Sequence, residues 1–429
     1  MNRSCARLTS FVVGLATLSL VSFAARAESP LDGPDASSGN ADAPRLKPGF
    51  TTLYRFQGGK DGYWPRGGVI VHDGAIYGTT LYDGLCSTCG IVYKLTDEKG
   101  SWKLSVPHYF NENAEDGIAP TAPLTISGNT IFATTSAGAN FACGCGEVFQ
   151  LALPTGYKII KHLAARIGEE PIGGLLIGRD GTMYGTTSAG GAHDGGVVYK
   201  VEGGSYSVLY NLPGNPNNPA SGPFGELIFG KDDAIYGTSY GNGKYDQGYV
   251  FRLTTGGSFK DLYDFQNNFQ TPPKPDGAQP EGRLALGKDG TIYGTTTFGG
   301  SPSGYGTAWS IKAAAGGKWD YKQLYIFGSP GNLPHSGLVI AGNGVLYGTG
   351  AGGGAYQSGA IYSLTETTPG KWKYTLLHSF EDRAPGGDTP YADLFLQDGV
   401  LYGTTLTGGH VTNNGDCING CGTVFQFVP

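Results

Sequence analysis

The sequence predicts an all-β fold, a seven-bladed β-propeller of four-stranded antiparallel blades closed by the N-terminal strand completing the last blade. Three observations carry this. A short phrase, an apolar residue followed by Tyr-Gly-Thr-Thr or a near variant, occurs seven times, with its aromatic at Tyr77, Phe132, Tyr184, Tyr236, Tyr293, Tyr347 and Tyr402. The steps of 52 to 57 residues between those aromatics mark a propeller, a solenoid or an array. Finally, the last copy stops after its third apolar run, while an orphan run of the missing kind, Thr52-Leu53-Tyr54-Arg55-Phe56, precedes the first copy. Pairing the two removes the free sheet edge that an open solenoid would leave.

The unit around Tyr184 shows the grammar. Gly174 to Ile177 is strand a, and Asp180-Gly181 is a tight hairpin turn, because glycine accepts positive φ. Thr182 to Thr187 is strand b, Gly196 to Val201 strand c, and Tyr206 to Leu212 strand d. The other copies repeat this order, with c strands opening on Gly90, Gly146, Gly248, Gly306, Gly359 and Gly422. A glycine in strand b permits close approach of a neighbour, and the tyrosine beside it fills space between blades. Four antiparallel strands per unit make a propeller blade.

The bulk numbers agree. The 74 glycines in 429 residues follow no collagen period, and apolar residues recur through them, as many short strands and tight turns require. Residues 1–27 read as a signal peptide: Arg3 and Arg7, an apolar run from Phe11 to Ala24, then Ala25-Arg26-Ala27 before a cut at Glu28. Residues 28–49 are a polar leader, and 50–429 form the propeller. Losing three arginines and no acids takes the formal charge from −6 to −9. So acidic a surface argues against nucleic acid and anionic membrane. No second apolar segment follows, so the expected mature protein is a monomer outside the cytoplasm, periplasmic or secreted, without a membrane span.

In such a blade the b–c and d–a loops emerge on one face. They are long here, whereas the a–b turns on the other face are minimal, so any binding surface belongs to the b–c/d–a face around the channel mouth. Tyr63, Trp64 and Arg66 lie in the first d–a loop, where Trp64 could stack on a sugar ring or plug against a neighbouring loop. The positions just before each strand a are Gly68, Pro123, Gly174, Glu226, Arg283, Gly337 and Asp393. Of these, Glu226 and Arg283 stand on adjacent blades, able to grip a polar ligand or to pair with each other. His335 stands in a similar loop. Asp-Gly pairs at Asp61, Asp116 and Asp276, and a shorter relative at Asp388, could bind calcium or simply shape turns, and turn-shaping is the stronger reading. No nucleophile elbow, phosphate loop or zinc-protease helix is present, and no cofactor is expected.

Six cysteines remain after signal removal, in three local pairs: Cys86 with Cys89, Cys143 with Cys145, and Cys417 with Cys421. All lie in b–c loops of the first, second and seventh blades, which are consecutive around the ring. An even count in an exported chain predicts disulfides; no histidine lies at ligand spacing, so no metal is expected.

The whole unit, Asp-Gly-x-Ile/Leu-Tyr-Gly-Thr-Thr-x-x-Gly-Gly followed by Gly-x-Val-Phe/Tyr-x-Leu and Leu-Tyr-x-Phe, resembles the GloVer repeat of the choice-of-anchor tandem-repeat proteins of bacteria. The resemblance covers about residues 50 to 429 and implies an exported surface or periplasmic protein with a propeller-like fold. It carries over no activity and no catalytic residue. The chain departs from the pattern at Ala133 and Gly350, and shows no C-terminal anchor. Function is therefore expected to be a binding or interaction module in the cell envelope or medium, its partner a polysaccharide or an envelope protein. The alternative is a carbohydrate-active enzyme, a lyase or hydrolase, at the channel mouth. A Tyr, His, Arg and acid gathered at one pocket would favour the enzyme; scattered aromatics on a flat face would favour binding.

Overall fold

The structure, a computed structural model, describes residues 48–83, 89–111, 116–138, 144–215, 221–266, 276–302, 304–328, 333–411 and 417–429. The expected signal peptide, most of the leader, Cys86 and Cys143 lie outside the described residues.

Seven four-stranded antiparallel sheets form the ring. Blade 1 comprises Val69–His72, Ala75–Thr80, Ile91–Glu98 and Ser101–Tyr109. Blade 2 comprises Thr125–Ser127, Thr130–Thr135, Glu147–Ala152 and Gly156–His162. Blade 3 comprises Leu176–Ile177, Met183–Thr186, Val197–Glu202 and Ser205–Asn211. Blade 4 comprises Ile228–Phe229, Ile235–Ser239, Tyr249–Leu253 and Phe259–Asp264. Blade 5 comprises Ala285–Leu286, Ile292–Thr296, Thr307–Ala313 and Trp319–Ile326. Blade 6 comprises Val339–Ile340, Leu346–Gly350, Ala360–Thr368 and Lys371–Ser379. Blade 7 takes Phe395–Gln397, Val400–Thr405 and Thr423–Val428 from the C-terminal end of the chain. Its fourth strand is Gly49–Arg55, paired from Gly49 opposite Val428 to Arg55 opposite Thr423. The ring is thus closed by the orphan strand, which begins at Gly49.

The recurring phrase has a packing explanation. Gly78, Gly185, Gly237, Gly294, Gly348 and Gly403 each pair across to an aromatic of strand c: Tyr93, Tyr199, Phe251, Trp309, Tyr362 and Phe425. Each ring lies over its glycine, where a Cβ would collide with ring atoms. The aromatics are fully buried, and the apolar clusters run between consecutive blades. Farther out, strand d of one blade stacks an aromatic ring on strand d of the next. The pairs are His108 on Tyr157 at 3.8 Å, Tyr210 on Phe259 at 4.4 Å, Tyr263 on Tyr321 at 4.0 Å, Tyr325 on Tyr374 at 5.2 Å and His378 on Phe50 at 4.0 Å. Each such pair contributes about 0.5–1.5 kcal/mol beyond area burial. The last one fastens the closing strand.

Candidate functional site

The a strands of all seven blades line an axial channel of about 760 Å³. Its walls are mostly Val, Ile and Leu side chains. On the b–c/d–a face the channel narrows to a recess of about 60 Å³.

The recess is built by one segment written seven times. Each d–a loop ends in a proline: Pro65, Pro120, Pro171, Pro223, Pro280, Pro334 and Pro390. The residue after each proline reaches the recess, giving in ring order Arg66, Thr121, Ile172, Phe224, Glu281, His335 and Tyr391. All but Thr121 and Glu281 are half-buried, between a buried proline and a buried small residue.

The backbone fixes these segments at a cost. In six of the seven, the residue before proline is not glycine yet has positive φ: Trp64 at 60°, Ala119 at 55°, Glu170 at 55°, Gln279 at 59°, Leu333 at 44° and Thr389 at 53°. Such residues cost on the order of 1–3 kcal/mol each and cluster where function needs them. A repeated clamp holds them. The amides of Trp64, Ala119, Glu170, Gln279 and Thr389 donate to carbonyls of the preceding blade's b–c loop, at Cys421, Cys89, Cys145, Gln247 and Ser358, over 2.8–3.3 Å. Their carbonyls accept from the amides of Leu81, Ser136, Ser188, Thr297 and Leu406, which follow strand b of their own blade. Threonines of the phrase add a third tie: Thr134, Thr295 and Thr349 donate to Pro171, Ser336 and Ala392 carbonyls of the next loop at 3.0, 2.7 and 3.3 Å.

Four of the seven side chains are chemically engaged and neighbours in the ring. Glu281 is buried, and its Oε2 lies 2.9 Å from His335 Nδ1 and accepts from the Tyr391 hydroxyl at 3.1 Å. The carboxylate places a proton on Nδ1 and leaves Nε2 as the basic nitrogen of the neutral ring. Nε2 has no hydrogen-bond partner among the described residues. The imidazole stacks on Tyr391 at 4.4 Å, and Phe298, 38% exposed, meets it edge-on at 6.5 Å. Arg66 donates to the Tyr391 hydroxyl at 3.3 Å and sits 4.8 Å from that ring's centre. No carboxylate pairs with Arg66 among the described residues. Burial first, then the Glu281 charge, raises the Tyr391 phenol above its usual range, while Arg66 pulls the other way. On the opposite arc Phe224 stacks on Tyr240 at 4.6 Å, beside Ile172 and Thr121.

Below the ring, Arg283 Nε pairs with Glu226 Oε2 at 3.2 Å, and Asp393 accepts from the Gly337 amide. Burial raises both carboxyls. Arg66, Glu226, Arg283, His335 and Asp393 therefore meet at one place. Tyr63 and Trp64 do not. Tyr63 is buried and bridges to Tyr82, and Trp64 packs on Tyr82 at 5.5 Å in the cluster joining blades 7 and 1. Glu281, Tyr391 and Phe224 were not expected. The signal for them is the residue after each loop proline, which varies in every copy while its surroundings repeat.

Cys417 and Cys421 form a disulfide, and Cys89 and Cys145 are disulfide-bonded. The Asp-Gly turns stay in separate blades: Asp61 accepts from Tyr54 at 2.6 Å and Asp276 from the Gln266 amide at 2.7 Å. Among the described residues no three His, Cys, Asp or Glu side chains gather as metal ligands, and no helix is long and apolar enough to cross a membrane.

Fold and mouth together define a closed, repeat-built propeller presenting one polar axial recess. The chain belongs to the Gloeobacter/Verrucomicrobia repeat family, whose model matches residues 139–338 and 267–429. No curated protein matches it. Among solved structures it is similar to a gluconolactonase from Xanthomonas campestris, at 14% identity over 66% of this chain and 79% of that one, with a TM-score of 0.39. A protein from Bacteroides uniformis assigned as a 6-phosphogluconolactonase is 14% identical over 76% and 87% of the two chains, TM-score 0.47. A protein from Lactobacillus plantarum is 14% identical over 73% and 84%, TM-score 0.44. Likeness this remote says nothing of chemistry.

Proposed function

We propose that this protein binds a carbohydrate-type ligand at the axial mouth of its b–c/d–a face, outside the cytoplasm. One observation carries the reading: the seven equivalent positions after the loop prolines divide into two arcs. Glu281, His335, Tyr391 and Arg66 make a polar arc, and Thr121, Ile172 and Phe224 a largely apolar one. A sugar has the same two aspects, a hydroxyl edge and a C–H face that lies on aromatic rings. Phe224, stacked on Tyr240, supplies the ring on the apolar arc. Calorimetric titration with a panel of oligosaccharides tests it. Phe224→Ala is expected to weaken binding about tenfold, near 1.4 kcal/mol; a panel that gives no binding at all overturns the reading.

The enzyme reading is favoured by a second observation, the His335–Glu281 pair. An imidazole oriented by a buried carboxylate, with its other nitrogen unengaged, is the arrangement of a general base.

A further inference from the structure

The recess and an arginine with no carboxylate partner among the described residues narrow the ligand further. The recess, about 60 Å³, is the narrow end of the axial channel of about 760 Å³. Of the two mouth arginines, Arg283 is committed to Glu226, whereas Arg66 meets only Tyr391's hydroxyl and ring among the described residues. A guanidinium fork with no carboxylate partner among the described residues favours a ligand that carries one. His335 lines the same recess, its Nδ1 held by Glu281.

We infer that the mouth cleaves oligosaccharides of hexuronic acids by elimination, with Arg66 holding the sugar carboxylate and His335 abstracting the adjacent proton. This rests on the carbohydrate reading above and adds the acid and the reaction. Nε2 of His335 takes the proton from the carbon bearing the carboxylate. The electron pair left behind forms a double bond to the neighbouring carbon, whose bond to the glycosidic oxygen breaks. The imidazolium returns its proton to that oxygen, giving an unsaturated uronic end and a free hydroxyl. Arg66 balances the charge that spreads onto the carboxylate as the C–H bond breaks. Glu281 is a positioning residue, acting through the imidazole.

The test combines binding and turnover on the full chain, using oligogalacturonate, oligoglucuronate and oligomannuronate beside neutral oligosaccharides of equal length. The expected result is at least about tenfold tighter binding of one uronate over its neutral counterpart, lost in Arg66→Ala but not in Phe224→Ala. Turnover, followed by ultraviolet absorbance of the unsaturated end, is expected to fall at least 10²-fold in His335→Ala, the scale of a lost general base, with uronate binding changed by only a few-fold. His335→Asn, whose amide nitrogen takes the place of Nδ1 beside Glu281, guards against loss of fold; it must melt like the parent and still be inactive. Glu281→Gln is expected to lower kcat and shift the acid limb of the pH profile with little change in KM. Neutral and acidic sugars bound equally would overturn this inference and leave the carbohydrate reading standing. Tight uronate binding without unsaturated product overturns the elimination, and no binding of any sugar overturns both.

Discussion

Glu147 shows how one side chain can set the pH response of the whole ring. It lies fully buried at the start of strand c in blade 2, where other blades carry Val197, Tyr249 or Thr307. Burial pushes its carboxyl up to about 7, although the Tyr157 hydroxyl and the Gly117 amide donate to it. His162 lies 3.4 Å away; Asp116, itself beside His108, adds a like charge. With the folded value above the unfolded 4.5, the fold favours the protonated acid. Its contribution to stability is therefore full below about pH 4.5, declines as pH rises toward 7, and levels off above, by on the order of 3 kcal/mol at ~1.4 kcal/mol per unit. Glu147→Gln should raise the melting temperature at pH 8 and leave it nearly unchanged at pH 4. An equal shift at both values would rule this out. Single residues were unevenly legible in the sequence. The pairing of Glu226 with Arg283 could be read because both occupy one repeat position on adjacent blades. Trp64 takes the packing alternative of its two readings, against Tyr63 and Tyr82, but nothing in the sequence singled out those two rings.

The d–a segment is the element that turns repetition into a site. Its proline sits over the glycine that opens strand c of the preceding blade: a Cβ on Gly248 would strike the Pro280 ring and the Ser239 carbonyl, and its φ is +91°. Gly248→Ala is expected to cost about 2 kcal/mol and to loosen Glu281, so that ligand affinity falls along with the melting temperature. Unchanged affinity in a destabilised variant would detach the loop from the site. The disulfides act on the same element. Cys421, Cys89 and Cys145 supply the carbonyls that clamp the loops bearing Arg66, Thr121 and Ile172. Mild reduction should weaken ligand binding several-fold while the far-ultraviolet dichroism of the sheets persists. Strand order, turns and the Cys417–Cys421 pair were open to reading because they follow period, glycine and spacing. The clamp was not: Trp, Ala, Glu, Gln, Leu and Thr give no propensity signal for positive φ ahead of proline.

At the level of the molecule, the seven sheets and their closure followed from counting phrases and finding the orphan strand. What the sequence withheld was convergence. Arg66 and Tyr391 stand 325 residues apart and meet only because the ring closes. The closing strand is therefore needed for the mouth as well as for stability. Deleting residues 49–56 should bare the edge of Thr423–Val428 and yield material that scatters light, whereas removing only residues 28–47 should leave a monodisperse, cooperatively melting protein. A shortened chain that stayed monodisperse would mean another segment covers that edge. The seven side chains after the loop prolines have a historical consequence. Each follows a buried proline at the same repeat position, inside a frame that the neighbouring residues hold. An exchange at one position alters the rim by one seventh. Lineages carrying this wheel can change what the rim presents one codon at a time, and a designer can do so deliberately.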